Sequence, residues 1–514
     1  MELIKKSISS ILEDTAKTYP NLIAIEDNNA RYTWDRLNKL STCLAYKFLE
    51  MGITNNSYVG LFILNSPDWI ISFFALEKIG ALAVLINTYF KGRELLDVVK
   101  HSDLDCIMYS NDIELKKALE PVKKEKIVKN IISISELINE DYSKKDFEIN
   151  NEFNPFKPAC MMFTSGTTSI PKGVLLSQFN LVNNARAIAE AMRWNENDKL
   201  CIAVPMFHCF GLTAGILACL ISKTTMVIPE SNRSSKIVKC IREHKCSILN
   251  GVPSMFLAIA NKFPREEIAS LNLKSGIIAG SFIGYEEFKY ISDIFNDMKL
   301  QPSYGQTETS PCVTIANLDA SIEEKAASAG RAIGHVDIRI NGIEGALYCE
   351  KFVQGEIEVK GYNVMLGYYN NKFANENVFT DDGWLKTGDM GYIDDEKFLH
   401  ISGRIKEMII RCGENISPYE IENAIKELNE IKEVKVIGIE SEIVQEEIVA
   451  CIILKEKHSL TDIEIREFLK DRLAKYKIPA YIVRLEEFPY TTNEKIELLK
   501  LKKIAVEFIK QFKK

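Results

Sequence analysis

The sequence predicts a layered α/β body followed by a smaller α+β unit, and three observations lead there. Helix-like and apolar strand-like runs alternate from the N-terminus to about residue 400, as in a sheet covered by helices. A second pattern, a helix and then apolar strands, starts near Ser417. The chain also has 514 residues, too many for one ordinary core.

In the body, helical periodicity covers Trp34 to Leu49 and Asp68 to Ile79, and Tyr58 to Leu64, Leu82 to Ile86 and Thr225 to Ile228 read as strands. The polar stretch Asp141 to Pro158 reads as a loop. Cys201 to Ile221 is nearly uncharged and long enough to mimic a membrane span. Pro205, His208 and Gly211 interrupt it, so it is expected to be a buried strand, a turn and a core helix. The domain boundary is expected at 403–406, dividing the chain into residues 1–402 and 407–514. In the smaller unit, Ser417-Pro418-Tyr419-Glu420 has the form of a capping box with proline at the first helical position. Strands follow at Val434 to Ile439 and Ile448 to Leu454. Thr461-Asp462-Ile463-Glu464 then caps another helix, which ends before Pro479.

Composition excludes several classes. Hydrophobic content of 46% and charged content of 26% fit a soluble globular protein. Sixty-four basic against 71 acidic residues leave a net charge of −7, which argues against a general nucleic-acid binder. The last twenty residues hold seven lysines and read as a helix with a solvated basic face. Glu2, Lys5 and Lys6 interrupt any signal peptide, and the 12 cysteines form no CxxC pair. Reduced thiols in a cytoplasmic protein are therefore expected. Cys240, His244 and Cys246 are close enough in sequence to suggest a metal. They lie where an amphipathic helix meets an apolar strand, without a second ligand pair, and core packing is the favoured reading.

The chemistry begins with Met161 to Val174. An apolar strand, Cys160 to Phe163, runs into six small residues, Thr164 to Ser169, then Pro171, Lys172, Gly173 and a second apolar run. Gly166 frees the backbone, Thr164, Ser165, Thr167 and Thr168 offer hydroxyls, and Lys172 adds a positive charge. A polyphosphate is held by such exposed N–H groups, hydroxyls and a cation. The string is not a Walker loop, since Ser-Ile-Pro stands between Thr168 and Lys172 and two strands flank it. A P-loop kinase or ATPase is thereby disfavoured.

Four further strings follow: SYGQTETSP at Ser303 to Pro311, WLKTGDMG at Trp384 to Gly391, ISGRIKEMIIRCGENISPYEIE at Ile401 to Glu422, and FPYTTNEKIELLKL at Phe488 to Leu501. In this order and spacing, the set resembles the adenylate-forming superfamily of acyl-CoA synthetases, aryl-CoA ligases, adenylation domains and luciferases. The resemblance runs from Tyr32 to Lys495. It implies a large N-terminal body with a small mobile C-terminal lid, hinged at Lys406. It also implies an acid–thiol ligase that uses ATP and Mg²⁺ to make an acyl adenylate, then transfers the acyl group to CoA.

By that resemblance, the loop from Thr164 to Lys172 would hold the leaving phosphates, Tyr304 of Tyr304-Gly305 would stack on adenine, and Gly280 and Ser281 would flank it. Thr307 would contact phosphate, Glu308 would orient Mg²⁺, and Asp389 would accept from both ribose hydroxyls, with Arg404 beside it. Lys495 would reach the carboxylate and α-phosphate. His208 would close the carboxylate pocket, Phe210, Leu212, Phe282 and Cys312 would line an apolar acyl site, and Gly413 would flank the thiol tunnel. No covalent acyl-enzyme is expected, because no matched motif supplies a nucleophile with its base.

Val204 to Gly211 contains no acid to hold an ammonium group, which disfavours amino acids as substrates. His208-Cys209-Phe210-Gly211 with Tyr304 to Pro311 looks most like medium-chain fatty acyl-CoA synthetases. Ile410 stands where luciferases carry a second lysine. Ser169 and Glu494 replace glycines of the family pattern, Gln445 another, and Ser281-Phe282 replace Ala-Pro. The alternatives are a freestanding ligase that loads a separate phosphopantetheinyl carrier protein, since about twenty residues follow Lys495, and a non-catalytic adenylate-binding protein.

Overall fold

A computed structural model describes residues 2–138, 154–164, 171–342, 354–411, 414–441, 445–470, 472–473, 475–490 and 496–512. The chain divides into two compact units, Met1–Ile338 with Val359–Leu385, and Arg339–Glu358 with Lys386–Lys514. This division differs from the boundary at 403–406 expected from sequence. Pairing of Leu385–Ile393 with Leu399–Arg404, in the register Asp389 to Arg404, ties residues 386–402 into the second unit.

The first unit holds two large sheets. In the nine-stranded sheet, five parallel pairings join Lys299–Gly305, Ser275–Ile278, Ile248–Leu249, Lys199–Cys201, Thr225–Val227 and Ile23–Glu26 in that spatial order. Antiparallel strands extend both edges, Cys312–Ile315 and Arg331–Ala332 on one side and Arg31–Thr33 on the other. In the seven-stranded sheet, Pro158–Thr164, Leu82–Leu85, Tyr58–Phe62, Cys106–Tyr109 and Asn130–Ser133 are parallel. Lys172–Ser177 and Gly367–Tyr368 add two antiparallel strands at one edge.

The strands are apolar runs because both faces of such a sheet are covered. The helix Pro67–Ile79 is buried all round, which its sequence announces by having almost no polar face. Ser66 caps its first turn by accepting from the Trp69 N–H, Pro67 stands at the first position, and Gly80 ends it at φ 72°. Cys201 to Ile221 resolves as expected into the end of a strand, a turn and buried helix, with a π-helical stretch at Leu212–Leu217. Among the described residues, no helix is long and apolar enough to cross a membrane.

The second unit contains the long antiparallel pair Ile431–Ser441 and Gln445–Leu454, with Tyr481–Arg484 parallel to the latter. Two apolar clusters cover it, one built on Ile421, Ile425 and Leu469, the other on Leu501, Ala505 and Ile509 of the C-terminal helix Leu498–Phe512. Thr461 and Glu464 form the expected reciprocal cap, at 2.7 and 3.2 Å. The box expected at Ser417 does not form. Its hydroxyl donates instead to the Ser402 carbonyl, and Glu420 pairs with Lys477 at 2.7 Å, so proline alone starts that helix.

Candidate active site

In the first unit, the chemistry-bearing residues gather at the carboxyl ends of parallel strands, where open α/β sheets bind ligands. Ser275–Ile278 leads to Gly280, whose φ of 89° suits glycine, and to exposed Ser281 and half-buried Phe282. Its neighbour Lys299–Gly305 ends in Tyr304 and Gly305. A Cβ on Gly305 would lie 1.8 Å from the Pro311 carbonyl oxygen, so only glycine allows the chain to double back here.

Thr307 and Glu308 follow on a single 3-10 turn, Thr307–Thr309. Buried Asn184 and Asn363 hold the returning strand. Asn184 accepts from the Cys312 N–H at 3.1 Å and donates to the Cys312 carbonyl at 2.8 Å, which Asn363 also engages at 3.1 Å. Ser310 donates to the Asn363 carbonyl at 2.7 Å.

Pro158–Thr164 and Lys172–Ser177 form an antiparallel hairpin with Thr164 opposite Lys172. Thr164 and Lys172 are thus neighbours across the strands that carry the turn. Ser165, Gly166, Thr167 and Thr168 lie outside the described residues, as does Ser169. The Lys172 ammonium sits 4.6 Å from the Tyr368 ring centroid, and the Tyr368 hydroxyl donates to Glu308 Oε1 at 3.0 Å. Burial, with the Glu308 charge adding to it, raises the Tyr368 phenol well above its ordinary value, so it remains a donor at neutral pH. Lys172 and Gly173 also line a cleft of about 390 Å³ with Lys100, His101 and Tyr369.

Lys199–Cys201 leads to His208, the cap of the short helix Cys209–Gly211. Asn65 braces this segment by donating to the Val204 carbonyl at 2.8 Å and accepting from the Met206 N–H at 2.9 Å. The His208 ring lies 4.5 Å from that of Phe207. Phe210 is half-buried, whereas Leu212 and Cys312 are buried. Burial pushes the Cys209 and Cys312 thiols up to about 12, which keeps both protonated and poor nucleophiles.

In the second unit, Asp389 and Arg404 face each other across two strands, with Arg404 Nε 3.2 Å from Asp389 Oδ1. Thr387 donates to the Ile357 carbonyl at 2.6 Å and accepts from the Asp389 N–H at 3.1 Å. Gly388, at φ 72°, donates its N–H to Glu356 at 3.0 Å. Lys406 lies on the 3-10 turn Ile405–Glu407 that follows Arg404. Next to it, Glu407 pairs with Lys435 at 3.0 Å, and Lys435 reaches Glu422 at 3.2 Å. Gly413, Glu494 and Lys495 lie outside the described residues.

Two matches with known proteins cover most of the chain. The AMP-binding enzyme family matches residues 12–369, and the AMP-binding enzyme C-terminal domain matches residues 420–495. The chain belongs to the AMP-binding enzyme family.

Among its relatives, YngI of Bacillus subtilis (strain 168), a provisionally named acyl-CoA synthetase, is 33% identical over 98% of each chain. The mitochondrial medium-chain acyl-CoA ligase ACSF2 of Macaca fascicularis is 30% identical over 97% of this chain and 87% of its own. The o-succinylbenzoate CoA synthetase MenE of Bacillus subtilis, solved with its acyl-adenylate intermediate, superposes with a TM-score of 0.86 at 28% identity, over 97% of this chain and 99% of that one. The same enzyme solved with ATP and magnesium ion gives a TM-score of 0.83 at 28% identity, over 96% and 98%. The resemblance read from the motifs and the large α/β body with its C-terminal domain agree with these matches.

The motifs pointed to Lys172 and Glu308 but not to what joins them. Tyr368 lies 60 residues after Glu308, in a Gly-Tyr-Tyr string that carries no chemical signal by itself. Asn184 and Asn363 escaped for the same reason: a single asparagine in a helix or a loop gives no sign that it will clamp a distant strand.

Proposed function

We propose that the protein condenses an apolar carboxylic acid with ATP to give an acyl adenylate and pyrophosphate, and then forms the CoA thioester. The observation that supports this most is the Lys172–Tyr368–Glu308 array at the foot of the hairpin that carries the phosphate-type turn.

Joining a carboxylate to a triphosphate brings anions together, so charge neutralisation and alignment dominate the barrier. Lys172 supplies one fixed cation beside the turn. By the family resemblance, Lys495 would supply a second, on a flexible stem, for the carboxylate and α-phosphate oxygens. Asp389 accepts from the ribose hydroxyls, with Arg404 holding its other side, and Tyr304 offers a face to adenine. Glu308 and Thr307 present hard oxygen donors and would hold Mg²⁺. Bound there, the ion would spread the charge that builds on the departing pyrophosphate. Tyr368, as a donor to Glu308, fixes the carboxylate without neutralising it. Thioester formation then needs no enzyme nucleophile, in keeping with the protonated Cys209 and Cys312.

For the acid, the absence of any carboxylate in Val204 to Gly211 disfavours substrates carrying an ammonium group, and half-buried Phe210 and Phe282 favour an apolar chain. The deciding experiment measures pyrophosphate release with ATP and Mg²⁺ over C4 to C16 fatty acids, benzoates, o-succinylbenzoate and amino acids, with and without CoA. Release with medium-chain acids, an acyl-CoA product and loss of both in Lys495→Ala is the expected result. Release without thioester formation would overturn CoA as acceptor, and release only with aromatic acids would overturn the fatty-acid assignment.

A further inference from the structure

Away from this site, the sulfur atoms of Cys201, Cys240 and Cys246 all lie within 4.8 Å of one another. Cys201 ends a central strand of the nine-stranded sheet and Cys240 lies on the helix Ser234–His244. Lys245, at φ 55°, turns the chain sharply, and Cys246 leads toward the neighbouring strand Ile248–Leu249 beside them. The three are 0%, 4% and 1% exposed, in a core that includes Val227, Ile237, Leu249 and Phe256.

Three observations limit what such a site could hold. First, a metalloid–sulfur bond of about 2.3 Å in a three-coordinate pyramid sets its sulfurs about 3.5 Å apart, so side-chain rotation closes the triangle. Second, among the described residues no fourth ligand joins. His244, one turn after Cys240, has Nδ1 3.1 Å from Glu26 and Nε2 3.2 Å from Asn28, and Glu26 is itself pinned by Arg31 and Lys199. Structural zinc and iron–sulfur sites take four protein ligands, so three soft sulfurs fit them poorly. Third, the surroundings are apolar and resist net charge. Three thiolates cancel the charge of a trivalent centre and leave a monovalent or divalent one anionic.

We propose that Cys201, Cys240 and Cys246 form a buried site for a trivalent thiophilic metalloid of the arsenite class. The reaction is a ligand exchange without redox change: As(OH)₃ and three Cys–SH give As(S–Cys)₃ and three waters. Each thiol proton leaves with one hydroxide of the arsenite, and the product is neutral. Opening of the last turn of the helix Ser234–His244 is the route in, since Cys240 and Cys246 flank that end. Among the described residues, this is the one cluster of three such ligands.

The test treats the reduced full-length protein with arsenite, counts bound arsenic by native mass spectrometry and reads its coordination by X-ray absorption. One arsenic per chain bonded to three sulfurs and no oxygen is expected, with affinity falling at least about tenfold in Cys201→Ser, Cys240→Ser and Cys246→Ser. No bound arsenic, a two-sulfur site with residual oxygen, or wild-type affinity retained by any of the three variants would overturn the assignment. The wild-type absorption spectrum decides even if a variant fails to fold. A parallel arm with Co²⁺ as a zinc surrogate is expected to show no tetrahedral thiolate bands, and their appearance would replace the proposal with a four-coordinate site.

Discussion

The Tyr368 hydroxyl donates to Glu308 Oε1 at 3.0 Å, while the Tyr368 ring lies under the Lys172 ammonium at 4.6 Å. One aromatic side chain therefore touches both the acid and the cation on which the proposed chemistry depends. Tyr368→Phe keeps the ring and removes the donor. A hydrogen bond to a charged group contributes about 1.5–3 kcal/mol, so kcat/KM for pyrophosphate release should fall by roughly 10- to 100-fold. The Mg²⁺ concentration for half-maximal rate should rise. An unchanged Mg²⁺ dependence would separate Tyr368 from the metal.

Lys172→Met retains an apolar stem over Tyr368 and removes the charge. The apparent KM for ATP should rise by about tenfold or more, as expected for the loss of a phosphate-facing cation. Thermal stability should change little, since Lys172 is only half-buried. Steady-state kinetics beside a melting curve separates the two effects.

Arg404 is 56% exposed at its side chain, so its pair with Asp389 should add less than about 1 kcal/mol to folding. Arg404→Gln should accordingly leave the melting temperature almost unmoved, whereas AMP affinity by calorimetry should drop clearly. A variant that loses stability and keeps AMP affinity would reassign the pair to architecture.

Asn184→Ala leaves the buried Cys312 N–H without its partner, while the Cys312 carbonyl keeps Asn363 at 3.1 Å. An unsatisfied buried group costs about 1–3 kcal/mol, and a loss of that order in urea unfolding is expected. Activity at low temperature should decline as well, because the same strand return carries Tyr304, Thr307 and Glu308.

Glu77 is fully enclosed in the helix Pro67–Ile79, and neither carboxyl oxygen has a hydrogen-bond partner among the described residues. Burial holds its pKa well above the ordinary 4.5. The unfolded chain releases this proton above about pH 4.5 while the folded chain retains it, so Glu77 lowers stability progressively as pH rises past that point. Glu77→Gln removes the titration. Relative to wild type it should gain stability between pH 5 and 8, and the gain should vanish toward pH 4. A pH-independent difference in denaturant midpoint would contradict the buried neutral acid.

Much of this was legible in the sequence where a local string carries its own chemistry. The alternation of Tyr58 to Leu64 with Asp68 to Ile79 announced a layered α/β body, and both elements formed within a residue or two of their expected ends. Thr461 and Glu464 capped as written because the two groups are three residues apart and need nothing else. Ser417 did not, because the Ser402 carbonyl, 15 residues away in sequence, competes for its hydroxyl. The third thiol was hidden likewise. Cys240 and Cys246 are close in sequence, but Cys201 reaches them only through the sheet register that sets Cys201 opposite Leu249.

The chain passes between its two units at 338/339, 358/359 and 385/386. No single backbone cleavage can therefore release either unit as one continuous polypeptide. A fragment ending at 385 would carry the orphaned segment 339–358, and one starting at 386 would lack it, leaving Thr387 without the Ile357 carbonyl and Gly388 without Glu356. Separate expression of the halves calls for splicing: a short linker replacing 339–358 in one product, and that segment rejoined ahead of 386 in the other.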